Sequence, residues 1–175
     1  MKKIILITGG ERSGKSSFAE QLAISLTPNP VYIATAHIWD EEFRERVRLH
    51  QERRGAQWTN IEEENDLSAC KIEGRVAVID CITLWLTNLI QPHIEKSGKL
   101  YVNAVLEKAK KQLEEFTAQD ATFIFVTNEI GSGGVSANPL QRRFTDLQGW
   151  INQHIAKMAD EVFLMVSGIP VKIKG

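Results

Sequence analysis

The sequence predicts an α/β fold with a mostly parallel sheet. Short β-branched apolar runs alternate along the chain with segments whose apolar residues recur every three or four positions, as in strands alternating with helices. A glycine-rich segment, Gly9–Ser16, lies between the first such run and the first periodic segment. No repeat, low-complexity tract or flexible linker interrupts this order, so we expect a single domain over residues 1–175.

The first half of the chain predicts three strands and two helices. The strands are short apolar runs that end in turn or polar residues, at Lys3–Thr8, Val31–Ala34 and Val76–Ile79. Phe18, Leu22 and Leu26, spaced four apart, predict a helix over Ser16–Leu26. A charged helix is predicted over Asp40–Arg54, with Asp40 as its N-cap.

The second half predicts two helices and three strands. The helices are Tyr101–Phe116, with an apolar stripe on one face, and a segment that runs from the Asn138 cap and Pro139 to about Met158. The strands are Thr122–Val126, Glu161–Val166 and Ile169–Ile173. The Ser167-Gly168 turn between the last two strands predicts an antiparallel hairpin at the sheet edge.

Composition excludes several classes of protein. Of the residues, 43% are hydrophobic and 25% charged, which is typical of a globular protein rather than a disordered or disulfide-rich one. The net charge of −1 predicts neither bulk nucleic-acid binding nor attraction to an anionic membrane. No apolar run approaches a membrane span. Cys70 and Cys81 are expected to be two free thiols, and the protein to be cytoplasmic, although a lone disulfide remains possible.

The segment Gly9–Ser16 fits the phosphate-loop pattern G-x-x-x-x-G-K-S between a strand and a helix. Glycines let backbone N–H groups approach phosphate oxygens, and the following helix presents the positive end of its dipole. Lys15 would contact the β- and γ-phosphates, and the Ser16 hydroxyl would bind Mg²⁺. The loop predicts binding of a nucleoside triphosphate.

Two polar segments follow predicted strands. Asp80 is expected to meet Mg²⁺ together with Ser16, the alternative being a cap for Thr83 or a helix. The segment 127–129 (Thr-Asn-Glu) lies where a parallel sheet places its ligand crevice. It is either a γ-phosphate sensor or second-substrate contact, or a plain strand-to-loop turn.

The charged helix carries a candidate nucleophile. Arg46, His50, Arg53 and Arg54 share one helical face. One interpretation is a solvated charged face, because glutamates interleave. The other is a histidine that attacks phosphorus, kept neutral by neighbouring guanidinium groups that also neutralise phosphate charge.

Motifs in order along nearly the whole chain resemble the bifunctional adenosylcobinamide kinase/adenosylcobinamide-phosphate guanylyltransferase family of cobalamin biosynthesis. They are GGERSGKS at 9–16, YIAT at 32–35, RVxxHxxRR at 46–54, WT at 58–59 with Glu62, DCITLWLTN at 80–88, VTNEIG at 126–131 and VSGIPVK at 166–172. The resemblance implies a P-loop NTPase fold with a recombinase-like open sheet, and a homotrimer.

The resemblance implies two reactions. A nucleoside triphosphate, ATP or GTP, phosphorylates the aminopropanol hydroxyl of adenosylcobinamide. GTP then transfers GMP to adenosylcobinamide phosphate through a guanylylated histidine, giving adenosylcobinamide-GDP. His50 matches that histidine, with Lys15 and Asp80 as further catalytic residues and Mg²⁺ as cofactor. The partners expected are these substrates, without nucleic acid or membrane insertion.

The resemblance also implies which residues line the nucleotide site. The phosphate loop contributes Gly9, Gly10, Glu11, Arg12, Ser13, Gly14, Lys15 and Ser16. The guanine nucleotide site is lined by Ala34, Thr35, Ala36, Gln51, Glu52, Arg53, Arg54, Glu62 and Leu84. Glu62 could accept hydrogen bonds from the N1 and N2 edge of guanine, its alternative being a surface glutamate.

Two other functions remain open on the residues alone. A P-loop kinase with one activity would need Lys15, Ser16 and Asp80 but would form no covalent adduct. A nucleotide-switch module would bind nucleotide and a partner protein without turning over cobinamide.

Overall fold

In the computed structural model, residues 2–38, 40–41, 44–45, 48, 54–91 and 99–175 are described. Their strands form one seven-stranded sheet in the order β3-β2-β4-β5-β1-β6-β7. The strands are β1 (Lys3–Gly9), β2 (Val31–Ala34), β3 (Thr59–Glu62), β4 (Val76–Asp80), β5 (Thr122–Val126), β6 (Glu161–Val166) and β7 (Ile169–Lys174). Neighbouring strands are parallel except β6 and β7, which form an antiparallel hairpin at one edge.

Four continuous α-helical segments lie in the described part of the chain. They are α1 (Lys15–Leu26), α2 (Ile82–Ile90), α3 (Lys99–Phe116) and α4 (Pro139–Met158), and short 3-10 turns occur at Leu67–Ala69 and Gly131–Gly133. Asn138 caps α4, because its side chain accepts a hydrogen bond from the Leu140 N–H at 2.8 Å. Pro139 follows at the first helical position, where no N–H is needed. The predicted start of α4 is confirmed.

Side chains of the central strands alternate between two buried layers. Ile4 and Leu6 pack into the larger layer with α2, α3 and α4, whereas Ile5 and Ile7 pack with α1 on the other face. Helices on both faces bury the central strands β1, β4 and β5, which explains their continuous apolar runs. In the described residues, no helix is both long enough and apolar enough to cross a membrane.

The predicted fold class is confirmed, with several differences in detail. Strand β3 and helix α2 were not predicted from the sequence. Leu26 was expected in the apolar stripe of α1 but is 46% exposed, because Ala19 and Ala23 occupy the buried face. Cys70 and Cys81 are both buried free thiols, as expected.

The predicted helix over Asp40–Arg54 lies partly outside the described residues. Within them, Glu41, Arg44, Glu45 and Arg48 are helical. The Arg44 N–H donates to the Asp40 carbonyl oxygen at 3.0 Å, as expected for a helix that begins at Asp40.

Candidate functional site

The phosphate loop joins β1 directly to α1 and turns through an unusual backbone path. Gly9, Arg12 and Gly14 have positive φ values of 151°, 59° and 93°. Such values suit glycine and are uncommon for arginine. The Ser13 N–H donates to the Gly10 carbonyl oxygen at 3.3 Å, which closes the turn. The loop thus ends at the N-terminus of α1, where the helix dipole favours an anion.

Backbone hydrogen bonds hold the phosphate loop from two sides. From the β5 side, the Glu129 N–H donates to the Gly9 carbonyl oxygen at 2.9 Å. From the hairpin side, the Gly168 N–H in the β6–β7 turn donates to the Ser13 carbonyl oxygen at 2.9 Å. The loop therefore has a fixed position relative to both neighbours of β1 in the sheet.

Lys15 is a buried cation at the centre of the loop. The residue is 7% exposed, and its Nζ donates to the Gly10 carbonyl oxygen at 2.6 Å. Burial lowers the pKa of Lys15, while Cys81, Asp80 and Glu11 act in the opposite direction. Ammonium groups favour partners of opposite charge when water is excluded, so phosphate oxygens suit this position.

Asp80 ends β4 at the edge of the sheet where the phosphate loop lies. It pairs in register with Ala34 of β2 and with Val126 of β5, whose next neighbour is β1. Its Oδ2 accepts a hydrogen bond from the Tyr32 hydroxyl at 2.7 Å. The alternative role as a helix cap does not match the structure, because Cys81 is the N-cap residue of α2 and no side-chain bond caps it.

The residues around Asp80 suit a divalent cation. The Ser16 hydroxyl and the Asp80 carboxylate offer the hard oxygen ligands that Mg²⁺ prefers, and both residues are half-buried. Neighbouring Cys81 is a less suitable ligand for this ion. Burial, with a contribution from Asp80, raises the pKa of the Cys81 thiol to about 12, so it is protonated at neutral pH.

The segment 34–36 lies beside Asp80 at the end of β2. The Thr35 N–H donates to the Asp80 carbonyl oxygen at 3.2 Å. The Thr35 side chain is fully buried, and its hydroxyl donates to the Cys81 carbonyl oxygen at 2.8 Å. The half-buried Ala34 and Ala36 flank it. The Thr35 carbonyl oxygen accepts from Asn88 Nδ2 at 2.8 Å, so the backbone and the hydroxyl of Thr35 are both hydrogen-bonded within the protein.

Two further predicted nucleotide residues lie around the same edge. Glu62 ends β3, next to Ala34 in register, and is exposed. Leu84, in the first turn of α2, packs partly against the apolar layer on the α1 face.

Arg54 is held inside the protein. Its side chain is 3% exposed, and its guanidinium carbon lies 3.6 Å from the centroid of the Tyr32 ring. Its Nε donates to Asn60 Oδ1 at 3.0 Å, and its Nη1 lies 3.8 Å from Glu20 Oε1. His50, Gln51, Glu52 and Arg53, together with Arg46, lie outside the described residues.

The segment 127–129 connects the sheet to α4 and to the phosphate loop. The Thr127 hydroxyl is fully buried; it donates to Asn152 Oδ1 and accepts from Gln148 Nε2, each at 2.7 Å. The Asn128 N–H donates to Thr83 Oγ1 at 2.9 Å. These bonds favour the structural interpretation for Thr127, whose hydroxyl is occupied within the protein. Glu129 is exposed and contacts the loop through its backbone.

The comparison with protein families fits this geometry. A family model described as "Cobinamide kinase / cobinamide phosphate guanyltransferase" matches residues 5–173. The chain belongs to this family. The match includes residues of all seven strands, from β1 to the C-terminal hairpin, and contains the phosphate loop and Asp80.

Relatives with curated names agree with membership of the cobinamide kinase/guanyltransferase family. The chain is 39% identical to the bifunctional adenosylcobalamin biosynthesis protein CobU of Salmonella typhimurium, over 98% of this chain and 99% of the relative. It is 38% identical to CobP of Pseudomonas aeruginosa, which bears the same bifunctional name, over 97% and 96%. The corresponding CobU of Escherichia coli is 36% identical over 98% and 99%.

Solved structures with similar folds support the fold class alone. A protein from Pyrococcus horikoshii OT3 gives a TM-score of 0.53 at 7% identity, covering 99% of this chain and 86% of that one. An ATPase from the type III secretion system of pathogenic bacteria gives 0.54 at 10% identity, covering 93% of this chain and 50% of that one. The fold of this family member is thus shared with a distant ATPase.

Sequence reasoning missed two parts of this family member's site. Tyr32 lies in a quoted motif but received no role, although a tyrosine in a buried strand needs a partner for its hydroxyl. Gly168 was predicted as a turn residue, without its bond to the phosphate loop. Both contacts join segments far apart in the chain, and a single sequence carries no signal for them.

Proposed function

We propose that this protein catalyses two successive reactions on one corrinoid substrate. It phosphorylates the aminopropanol hydroxyl of adenosylcobinamide with a nucleoside triphosphate, and then transfers GMP from GTP to adenosylcobinamide phosphate. The observation that carries the proposal is the family match over residues 5–173. The phosphate loop, with Lys15 buried in it, supports the same conclusion.

In the first reaction, the substrate hydroxyl oxygen attacks the γ-phosphorus of the nucleotide. The bond from that phosphorus to the β,γ-bridging oxygen breaks, the nucleoside diphosphate leaves, and the hydroxyl proton passes to solvent. The protein contributes positioning and charge neutralisation. Loop N–H groups would bind phosphate oxygens, and the Lys15 ammonium would exchange the Gly10 carbonyl for the β- and γ-phosphates.

Mg²⁺ bound to the nucleotide would be held by the Ser16 hydroxyl and the Asp80 carboxylate. When bound, the ion neutralises charge on the phosphate oxygens. The protein's own part is to hold the carboxylate beside the loop. The Tyr32 hydroxyl donates a hydrogen bond to Asp80 Oδ2 at 2.7 Å.

In the second reaction, a neutral nitrogen of His50 attacks the α-phosphorus of GTP. The α,β-phosphoanhydride bond breaks and pyrophosphate leaves, which gives a guanylyl-histidine. A phosphate oxygen of adenosylcobinamide phosphate then attacks the same phosphorus, the P–N bond breaks, and the imidazole is regenerated. Arginines near His50 in the sequence would neutralise the attacking and leaving phosphates.

Labelling with α-labelled GTP tests this proposal. We expect the wild type to acquire a covalent label that is labile in acid and stable in alkali, as a phosphoramidate is. His50→Ala should remove the label but retain phosphorylation of adenosylcobinamide. The matched control is His37→Ala, because His37 is an exposed histidine whose Nδ1 lies 2.8 Å from Glu64 Oε2. Normal labelling of His50→Ala would disprove the assignment.

We also propose that the protein acts in the cytoplasm as a homotrimer, as the resemblance implies. A feature compatible with subunit contacts is the row of apolar side chains exposed on β7, at Ile169, Val171 and Ile173. Mass measurement by light scattering on the purified protein tests the assembly. A monomer at micromolar concentration would contradict it.

A further inference from the structure

Tyr32 brings a hydroxyl into a strand that is otherwise apolar. It is 4% exposed and lies opposite Val78 of β4 in the parallel register. Asp80 is two residues beyond Val78 and therefore faces the same side of the sheet. The hydroxyl reaches Asp80 Oδ2 at 2.7 Å, so a buried donor and a half-buried carboxylate satisfy each other.

The hydrogen bond has a fixed direction. The Tyr32 hydroxyl is the donor, and the Asp80 carboxylate oxygen accepts at 2.7 Å. A donor on Oδ2 limits rotation of the carboxylate and leaves Oδ1 as the oxygen available to a cation.

Two side chains from the segment 54–60 pack against the Tyr32 ring. The Arg54 guanidinium lies over one face, 3.6 Å from the centroid, within the range of a cation–π contact. The Trp58 ring packs against it at 6.0 Å between centroids, with an interplanar angle of 78°. Asn60 of β3, which pairs with Tyr32 in register, accepts a hydrogen bond from Arg54 Nε at 3.0 Å. The ring has little room to shift.

The enclosing contacts connect two functional segments of the chain. Arg54 follows His50 by four residues in the sequence. Through the Tyr32 ring and its hydroxyl, Arg54 is linked to the carboxylate beside the phosphate loop. A change in the position of Arg54 would therefore change the orientation of the Asp80 carboxylate.

We propose that Tyr32 is a positioning residue that orients the Asp80 carboxylate for the nucleotide's Mg²⁺, and that Arg54 holds Tyr32 in place. The inference depends on the proposed function only in assigning Asp80 to the magnesium nucleotide. It does not depend on the corrinoid substrate or on the histidine adduct.

Nucleotide binding with and without Mg²⁺ tests the role of Tyr32. The probe is the α,β-methylene analogue of GTP, from which no GMP can be transferred, and its affinity is measured by calorimetry in Mg²⁺ and in EDTA. We expect Tyr32→Phe to reduce the affinity gained from Mg²⁺ by about 10-fold, the scale of a hydrogen bond to a charged group. Affinity in EDTA should stay within about twofold of the wild type.

The matched control is Tyr101→Phe. That hydroxyl donates to the backbone carbonyl oxygens of Leu89 and Ile90, at 3.3 and 3.4 Å, and belongs to α3 rather than to the site. We expect it to leave both affinities unchanged. If Tyr32→Phe behaves like Tyr101→Phe, or loses affinity equally with and without Mg²⁺, the proposal is wrong.

Asp80→Asn provides a second arm that does not rely on Tyr32 alone. If Tyr32 acts through this carboxylate, Tyr32→Phe should have little further effect on the Mg²⁺-dependent affinity in an Asp80→Asn background. Additive losses in the double variant would show that Tyr32 acts by another route, and would overturn the proposal. Thermal unfolding of each variant confirms that folded protein is being compared.

The role of Arg54 is tested in the same way. Arg54→Lys keeps the charge but loses the planar group that stacks on the ring. We expect it to reduce the Mg²⁺-dependent affinity in the wild type and to add little to Tyr32→Phe. A loss of equal size in EDTA, unaffected by Tyr32→Phe, would instead identify Arg54 as a direct nucleotide contact. Failure of the proposed function would appear separately, as absence of the covalent label.

Discussion

Lys15 is a cation whose burial lowers its pKa, because desolvation disfavours the charged form. In the structure its Nζ donates to a neutral carbonyl oxygen, that of Gly10. A phosphate would provide a charged partner in the same place. The residue therefore contributes to ligand binding at some cost to the stability of the unliganded protein.

Lys15→Ala tests this balance. We expect nucleotide affinity to fall by about 10- to 100-fold, the scale of a charge-assisted hydrogen bond. The melting temperature without ligand should stay level or rise, since a buried charge is removed. The control is Lys111→Ala, because Lys111 is 77% exposed and pairs with Glu115 on the surface of α3. Unchanged affinity in Lys15→Ala would contradict the assignment of the loop.

Among individual residues, the sequence predicted the candidate functional residues that belong to a continuous motif. The positions of Lys15 and Ser16 follow from the glycines around them, and Asp80 from the apolar run before it. The bond from Tyr32 to Asp80 could not be predicted, because it depends on β2 and β4 being neighbours in the sheet. A pattern of period two gives the face of a strand but not its partner.

The phosphate loop and β6 are packed backbone against backbone at Gly9. A Cβ added there would lie 2.6 Å from the Met165 carbonyl oxygen and 2.8 Å from Ser13 Oγ. The positive φ of 151° adds strain for any other residue. Gly9 therefore permits both the turn of the loop and its close approach to the neighbouring strand.

Gly9→Ala should destabilise the protein by about 1–3 kcal/mol, since overpacking of a rigid contact costs that much. The matched control is Gly149→Ala in α4, where a Cβ would meet nothing within 4 Å. There alanine should stabilise the helix by about 0.5–1 kcal/mol. Urea unfolding of both variants measures the difference, and equal stabilities would show that the contact between β1 and β6 is loose.

Elements that sequence reasoning missed have physical reasons for their weak signal. Strand β3 lies at the sheet edge, and its residues Thr59–Glu62 are mostly exposed, so no apolar run marks it. Helix α2 has only nine residues, and seven of them are buried; an apolar-rich segment of this length does not distinguish a helix from a strand by its pattern. Helices with one solvent-exposed face, such as α3, were predicted because their apolar residues recur at helical spacing.

The packing of α3 against α4 makes the stability of the whole molecule depend on pH. His154 of α4 lies between these helices, and burial lowers its pKa. Glu114, whose Oε1 is 3.5 Å from His154 Nε2, and Glu107 act in the opposite direction, whereas Lys110 and Lys157 lower the pKa further. The effect of burial on the pKa is larger than that of the carboxylates, so folding favours the neutral imidazole.

We expect the His154→Gln variant to lose less stability than the wild type as the pH falls. The unfolded chain protonates His154 near its usual pKa of 6.5, whereas the folded protein does so at lower pH. Between those values the unfolded state binds more protons, so stability falls as pH drops through this range. Unfolding free energies of wild type and His154→Gln, compared from pH 8 to 5, should converge towards acid. Parallel curves would be inconsistent with this role.

The contact between the C-terminal hairpin and the phosphate loop matters for how genetic data on this protein are interpreted. A genetic screen for loss of this protein's nucleotide-dependent activity would be expected to recover changes in the loop itself. It should also recover changes around Gly168, whose N–H holds the Ser13 carbonyl oxygen. Mutations in the two segments would then produce the same phenotype. They would form two clusters along the sequence but a single cluster in the folded protein.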